Sequence, residues 1–230
     1  MLASMTSPSS RSGPEHESDD VRRRLLEAAA LLLDEEGPDS LTARRLAKEA
    51  RTSTMAVYTH FGSMTGLVRE IVHEGFGRLQ QCFSRVVFSA DPVADMALLG
   101  RAYRHNAVTN PNLYAVMFGG VSLAGFSLTE QDRRHGRYTL VTVTECASRC
   151  IAAGRFRSTD PELVARQMWM AIHGLTTLEL GGYLTDPWQA DRCFEPQITG
   201  LMIAMGDTPP AATRSVEISL ARFRPEVVAA

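Results

Sequence analysis

Residues 42–61, TARRLAKEARTSTMAVYTHF, gather hydroxyls and positive charge in a stretch with the proportions of helix, short turn and helix. Thr42, Ser53 and Tyr58 offer hydroxyls to phosphate oxygens, and Arg44, Arg45, Lys48 and Arg51 offer positive charge. That is chemistry suited to a polyanion. Thr42 can N-cap ARRLAKEA and Ser53 can N-cap TMAVYTHF, leaving only Arg51 and Thr52 between the first helix and the second cap. Ala47 is small where two helices must cross closely, while Leu46, Ala50 and Val57 can fill the little core between them. A helix this short adds little stability, but its N-terminal side chains can enter a major groove. Geometry alone leaves two readings open, because an ordinary helical hairpin in an α-bundle has the same proportions.

Other candidate chemistry is weaker. Gly120-Val121-Ser122-Leu123-Ala124 brushes against the nucleophile elbow of hydrolases, which needs a strand before it and a helix after it. Here it follows a short apolar helix inside a Gly-rich linker, so no catalytic residue is assigned. No Walker loop, HExxH or CxxC occurs, so no metal site and no cofactor are assigned. Cys146 and Cys150 lie one helical turn apart, either as a redox pair or, the commoner case, as plain core. His173, beside Trp169 on an apolar stretch, reads as a hydrogen-bonded core histidine or as a ligand contact. Met117, Phe118, Phe126, Met168, Trp169 and Met170 are mainly core, with some of them lining any pocket for a greasy molecule.

The elements that must position these residues are helices. At 230 residues and 44% hydrophobic, the chain can bury a substantial core. A net charge of −2, from 24 basic and 26 acidic residues, excludes a uniformly basic protein but not a local DNA-binding face. No apolar run reaches the length of about 18 residues that a membrane span needs. Residues 1–19 are Ser/Pro-rich, lack the apolar core of a signal peptide and are expected to form a disordered tail. Four cysteines are too few for a disulfide scaffold, and the chain is expected to be a soluble cytoplasmic protein.

Structure is expected from near Asp20, where Leu25, Leu26, Ala29, Leu32 and Leu33 recur at helical spacing up to Gly37 and Pro38. A longer helix from Ser63 carries Val68, Val72, Phe76, Leu79 and Phe83. Gly75 and Gly77 inside it, each costing about 1 kcal/mol relative to Ala, predict a bend. Further helices are expected from Asp91-Pro92 to Asn110-Pro111, from Thr129 to Ala153, and from Thr159-Asp160-Pro161-Glu162 to Gly181-Gly182. A last one places Phe194, Ile198, Leu201, Met202 and Met205 on one face. Residues 207–230 read as a tail, in which Val216, Ile218 and Leu220 alternate like a strand that has nothing to pair with. The predicted fold class is all-α.

From about Arg22 to Val72 the sequence resembles the N-terminal domain of the tetracycline-repressor (TetR) family of transcriptional regulators. The residues that carry the resemblance are Gly37, Leu41-Thr42, Leu46-Ala47 and Tyr58-Thr59-His60-Phe61, followed by Ser63 and Leu67. The resemblance implies that Thr42 caps a helix at a phosphate and that Arg44 reads a base. It also implies that Thr54, Met55 and Thr59 face the groove, while Tyr58 and His60 touch phosphate and sugar. Two positions depart from the family pattern. Arg51 stands where a Gly is usual and must accept a strained φ or a different turn. Met64 stands where a Lys is usual, removing one phosphate contact that Arg22, Arg23 and Arg24 could supply, unless they are a solvated helix start.

Tyr103, Asn110-Pro111-x-x-Tyr114-x-x-Met117-Phe118 and Trp169-x-x-x-His173-Gly174 resemble a C-terminal domain of one TetR subgroup, named for its Trp-His-Gly pattern. The resemblance therefore implies an N-terminal three-helix helix-turn-helix DNA-binding domain over 20–68. A C-terminal helical bundle over 69–206 would serve ligand binding and dimerisation. It implies a ligand-released repressor, a homodimer on a palindromic double-stranded DNA operator, paired through helices at 160–180 and 189–205. A hydrophobic, low-charge small-molecule effector would lie against Tyr103, Met117, Phe118, Phe126, Trp169 and His173. The competing class is a non-DNA-binding carrier or enzyme on the same scaffold, favoured by the near-neutral charge, Arg51 and Met64.

Overall fold

The computed structural model describes residues 14–118, 126 and 129–229, and all regular structure among them is helical. The chain divides into two compact units, one up to Ile71 together with Phe126, the other from Val72 onward.

In the first unit, α1 (Pro14–Glu36) starts ahead of Asp20, so residues 14–19 are helical and not part of a tail; the residues before them lie outside those described. Leu25, Ala28, Ala29, Leu32 and Leu33 recur every three or four residues and are all buried on one stripe. Gly37 ends the helix with φ 79°, its N–H bonded to the Leu33 carbonyl at 3.1 Å, and Pro38 prevents continuation. Two short helices follow, α2 (Ala43–Glu49) and α3 (Thr54–Phe61), then α4 (Met64–Ser84). Leu46, Val57, Leu67 and Val68 are fully buried with Leu25, so each short helix is held by its single apolar face.

The axis of the second unit is α5 (Pro92–Thr109). Every residue from Pro92 to Leu99 is buried, because other helices of the unit cover it all round. The Asp91 carboxylate caps it, accepting the N–H groups of Val93 and Ala94 at 3.1 and 3.2 Å. Next come α6 (Pro111–Met117) and α7 (Glu130–His135), a 3-10 turn (Gly136–Tyr138), and α8 (Thr139–Ala152). The remaining helices are α9 (Pro161–Leu180), α10 (Ala190–Met205) and α11 (Pro209–Phe223). Helices α8, α9 and α11 pack on α5.

Two expectations are corrected here. The single helix from Thr129 to Ala153 is broken at Gly136, where a Cβ would overlap the Phe76 ring, so the backbone approaches that ring as only glycine can. Helix α4 runs through Gly75 and Gly77 as one helix. Gly75 lets Met117 lie against the helix backbone, since a Cβ there would sit 2.5 Å from its sulfur.

The supposed tail 207–230 is largely helix α11, packed along α5. Its buried face is Ala212, Ser215, Val216 and Ser219, at helical spacing. Two serines on that face hide the apolar period from the sequence. They are tolerated because each is satisfied. Ser215 donates to the Asp91 carboxylate at 2.7 Å and accepts from Arg155 at 2.9 Å; Ser219 accepts from Arg101 at 2.9 Å.

Buried charge fastens the same region. Asp95, fully buried, accepts from Arg149 and Arg222 at 2.7 Å each and from the Ser89 hydroxyl at 2.7 Å. Burial alone would raise its carboxyl, but Arg222, Arg149 and Ser89 together hold it below the ordinary carboxylate range.

Candidate nucleic-acid interface and effector cavity

The two N-caps form as the residue types require. Thr42 Oγ1 accepts the Arg45 N–H at 3.3 Å and Ser53 Oγ accepts the Ala56 N–H at 3.1 Å. Between the helices, Arg51 N–H bonds the Lys48 carbonyl at 3.2 Å and Thr52 N–H bonds the Ala47 carbonyl at 2.8 Å. Those two bonds make a Schellman turn with Arg51 in its left-handed position, φ 52°. A side chain there costs about 1–2 kcal/mol relative to glycine. Of the two options the sequence allowed, the positive φ is the one adopted.

On α3 and its cap, Ser53, Thr54, Met55, Tyr58 and Thr59 are exposed, Met55 by 70%, while His60 is half-buried. A methionine so exposed on a short helix stabilises nothing in its own unit. The Thr59 hydroxyl donates to the Met55 carbonyl at 3.0 Å, which leaves its lone pairs outward. On α2 and its cap, Thr42 and Arg44 are exposed. Arg44, Lys48 and Arg51 make no side-chain hydrogen bond or ion pair among the described residues, whereas Arg45 is paired with Glu36. The Arg22–Arg24 triplet is engaged within the unit: Arg22 with Glu70 and over the Phe61 ring, Arg23 with Asp20 and Glu27, Arg24 with Asp20. It does not stand free to replace the contact missing at Met64.

The second unit encloses a cavity of about 380 Å³, within the roughly 300–1,000 Å³ range of small-molecule sites. Of the residues expected to line it, Tyr103, Met117, Phe118 and Trp169 do so. His173 does not reach the wall. It stands behind Tyr103, its Nδ1 2.9 Å from that hydroxyl and 2.6 Å from the hydroxyl of Tyr114, and burial holds its imidazole below the ordinary value. Phe126 is elsewhere: it belongs to the first unit, buried, with the Arg69 guanidinium 5.9 Å from its ring centre. Sequence periodicity missed Phe76, Phe83, Gly136 and the arginines Arg133, Arg137 and Arg166, all of which line the cavity. Their only signal was helical spacing, which does not distinguish a cavity wall from solid core.

Cys146 and Cys150 are completely buried, and their mutual hydrogen bond together with burial pushes the Cys146 thiol far up. They are core. The Gly120–Ala124 segment lies outside the described residues. No helix among the described residues is long and apolar enough to cross a membrane.

Two short helices joined by a tight turn, with unpaired cations and exposed hydroxyls, together with a separate cavity-bearing helical unit, define a DNA-binding regulator of helix-turn-helix type. Comparison with known proteins agrees. Residues 25–71 match the family of bacterial regulatory proteins, tetR family, and residues 96–201 match the tetracyclin repressor-like C-terminal domain. An uncharacterized HTH-type transcriptional regulator of Mycobacterium tuberculosis is 30% identical over 189 residues, 80% of this chain and 81% of the relative. A protein of unknown function from a Rhodococcus species superposes with a TM-score of 0.69 at 28% identity, over 81% of this chain and 96% of that one. PfmR, a TetR family transcriptional regulator of Thermus thermophilus, gives a TM-score of 0.58 at 21% identity, over 80% of this chain and all (100%) of that one.

The chain belongs to the tetR family and is a DNA-binding transcriptional regulator. The C-terminal match is to a tetracyclin repressor-like C-terminal domain and does not confirm the narrower Trp-His-Gly subgroup. Regulators of this family bind DNA and small-molecule effectors, form dimers and are typically not enzymes.

Proposed function

We propose that this regulator is a repressor released by a small, largely apolar molecule, and that it acts as a homodimer on a palindromic operator. The cavity carries the reading. A cavity of about 380 Å³ walled mainly by apolar side chains offers the apolar body of a small molecule a place out of water. A ligand there shifts the balance between dimer geometries by its differential affinity for them, and α4, which starts in one unit and ends in the other, links sensor to reader.

A single recognition helix reads only a few base pairs, so useful specificity asks for two copies. Leu163, Met170 and Leu178 stand exposed along α9, at 47%, 56% and 46%, and supply an apolar stripe for pairing. Ile198 is unsuitable for testing this, since it is 1% exposed inside the core. Met170→Glu is the informative change. It should yield a folded monomer in sedimentation and lose operator binding, while the unchanged protein sediments as a dimer.

The decisive experiment is footprinting on the DNA flanking the protein's own gene, with affinity followed against salt. A repressor gives a protected palindrome and a steep salt slope. Weak, sequence-blind binding would favour a carrier on the same scaffold and overturn the proposal.

A further inference from the structure

The cavity wall is not uniformly apolar. Its interior is built by side chains such as Leu99, Val143, Ile172 and Ile198, but three arginines also line it: Arg133 and Arg137 from the segment α7–Tyr138, and Arg166 from α9. All three are exposed, as residues at a mouth are. Arg137 makes no hydrogen bond or ion pair among the described residues. Arg166 has one long contact, 3.4 Å to Glu162, with both side chains about half in solvent. Among the described lining residues the one carboxylate is Asp132, and it is engaged: it is 1% exposed and accepts the N–H and hydroxyl of Thr129 at 2.9 and 2.7 Å in a capping box. Of the arginines on the wall, Arg137 thus has no ion pair among the described residues, and Arg166 keeps one half-exposed pairing with Glu162.

Polar capacity elsewhere on the wall is already committed. The Tyr103 hydroxyl is bound to His173 Nδ1 at 2.9 Å, faces the Tyr114 hydroxyl at 3.3 Å and accepts the Trp169 indole N–H at 3.4 Å. A phenol has one proton and two lone pairs, so this network occupies it. An incoming polar group gains little there. The guanidinium groups of Arg137 and Arg166 offer paired, coplanar N–H donors matched to carboxylate or phosphate oxygens.

We propose that the cavity selects an amphipathic anion, its apolar body in the interior and its carboxylate or phosphate held by Arg137 and Arg166. This rests on the effector reading above and replaces the low-charge molecule that sequence alone suggested. It also explains the break at Gly136. That close approach to Phe76 ends α7 and places Arg133 and Arg137 on either side of the break, both on the cavity wall.

The test is a binding series sharing one body and differing only in the head: decanoate, decyl phosphate, decanol and methyl decanoate. Full-length protein carrying Trp188→Phe would be used, so that emission reports Trp169 on the cavity wall. Both anions should bind about tenfold or more tighter than the two neutral molecules, the ratio expected for a charge-assisted contact. The advantage should shrink with salt and vanish in Arg137→Gln combined with Arg166→Gln. These side chains are exposed, and circular dichroism checks that the variant keeps its fold. Equal binding of anions and neutrals overturns the proposal, as does an anion preference that survives the double variant, or no binding by any of the four.

Operator retention, measured in parallel, separates this inference from the effector reading. Release by decanol with no anion preference removes the anion site and leaves the effector reading standing. Anion-selective binding with no change in operator affinity keeps the anion site and removes the effector role.

Discussion

Around α2 and α3, Arg44, Lys48 and Arg51 meet no carboxylate among the described residues, whereas around α5 the buried Asp95 carboxylate meets two arginines and a serine. Every buried polar or charged residue among those described belongs to the second unit; the core of the first is wholly apolar. Charge left in water costs its owner nothing and stays available to phosphate. Charge taken into the core must be fully partnered, and once partnered it fixes how one helix lies on another. The first unit leaves its three cations Arg44, Lys48 and Arg51 facing outward. The second uses charge inward, to seat α11 on α5 with Arg101, Arg155 and Arg222 as the fasteners.

The largest expected effect breaks the inward arrangement. Asp95→Ala removes the fully buried carboxylate that Arg149 and Arg222 share and should cost about 3–5 kcal/mol of stability, read by urea unfolding. A loss under about 1 kcal/mol, the range of a surface pair, would mean that the network is no fastener and that the contrast between units is false.

Next is the outward arrangement. Arg44→Ala should cost about 1–3 kcal/mol of operator binding and relax base preference, with the unfolding midpoint unchanged. Tyr58→Phe and His60→Ala should weaken binding to all sequences alike. If Arg44→Ala alters neither affinity nor preference, the base-reading role implied by the family resemblance is wrong.

Smaller still is the turn between the two helices. Arg51→Gly removes the left-handed strain and should stabilise the protein by about 1 kcal/mol, while taking one free cation from the DNA-facing side. Higher stability together with a shallower salt slope would show strain retained for binding. Higher stability with an unchanged slope would show that Arg51 contacts no phosphate.

The smallest effect is the pH dependence near neutrality. Burial holds His173 below its ordinary value of 6.5, so keeping it neutral contributes stability that is complete above that pH and is lost as pH falls through the lowered value. His105, lowered by burial and by Arg85, acts in the same direction. Asp95, held below 3.8, contributes stability above that value and loses it only in strong acid. Unfolding free energy should therefore decline modestly between pH 7 and 5 (about the range in which histidine titrates), less so in His173→Gln, and fall again in strong acid unless Asp95 is replaced.

Where helical periodicity was apolar, the fold was legible. Leu25 to Leu33, the caps at Thr42 and Ser53, the Asp160-Pro161 helix start and the positive φ offered for Arg51 are all local matters, and local chemistry is written in adjacent residues. Reading failed where a distant residue changed the meaning of a local pattern. Ser215 and Ser219 look like surface until Asp91, Arg155 and Arg101 satisfy them. Gly136 looks like any tolerated helix glycine until Phe76 occupies the space its side chain would fill.

The sequence by itself determined that the chain is helical, where its short reading helices begin and end, and which hydroxyls and cations they present. Each of these follows from hydrogen bonds and steric limits within a few residues. Only the tertiary structure decided which apolar side chains enclose a void and not solid core, that Phe126 and His173 stand off its wall, and that Arg133, Arg137 and Arg166 line it. Burial on a helix face is encoded in spacing, but what lies across from that face depends on chain segments tens of residues away, and periodicity carries no record of them.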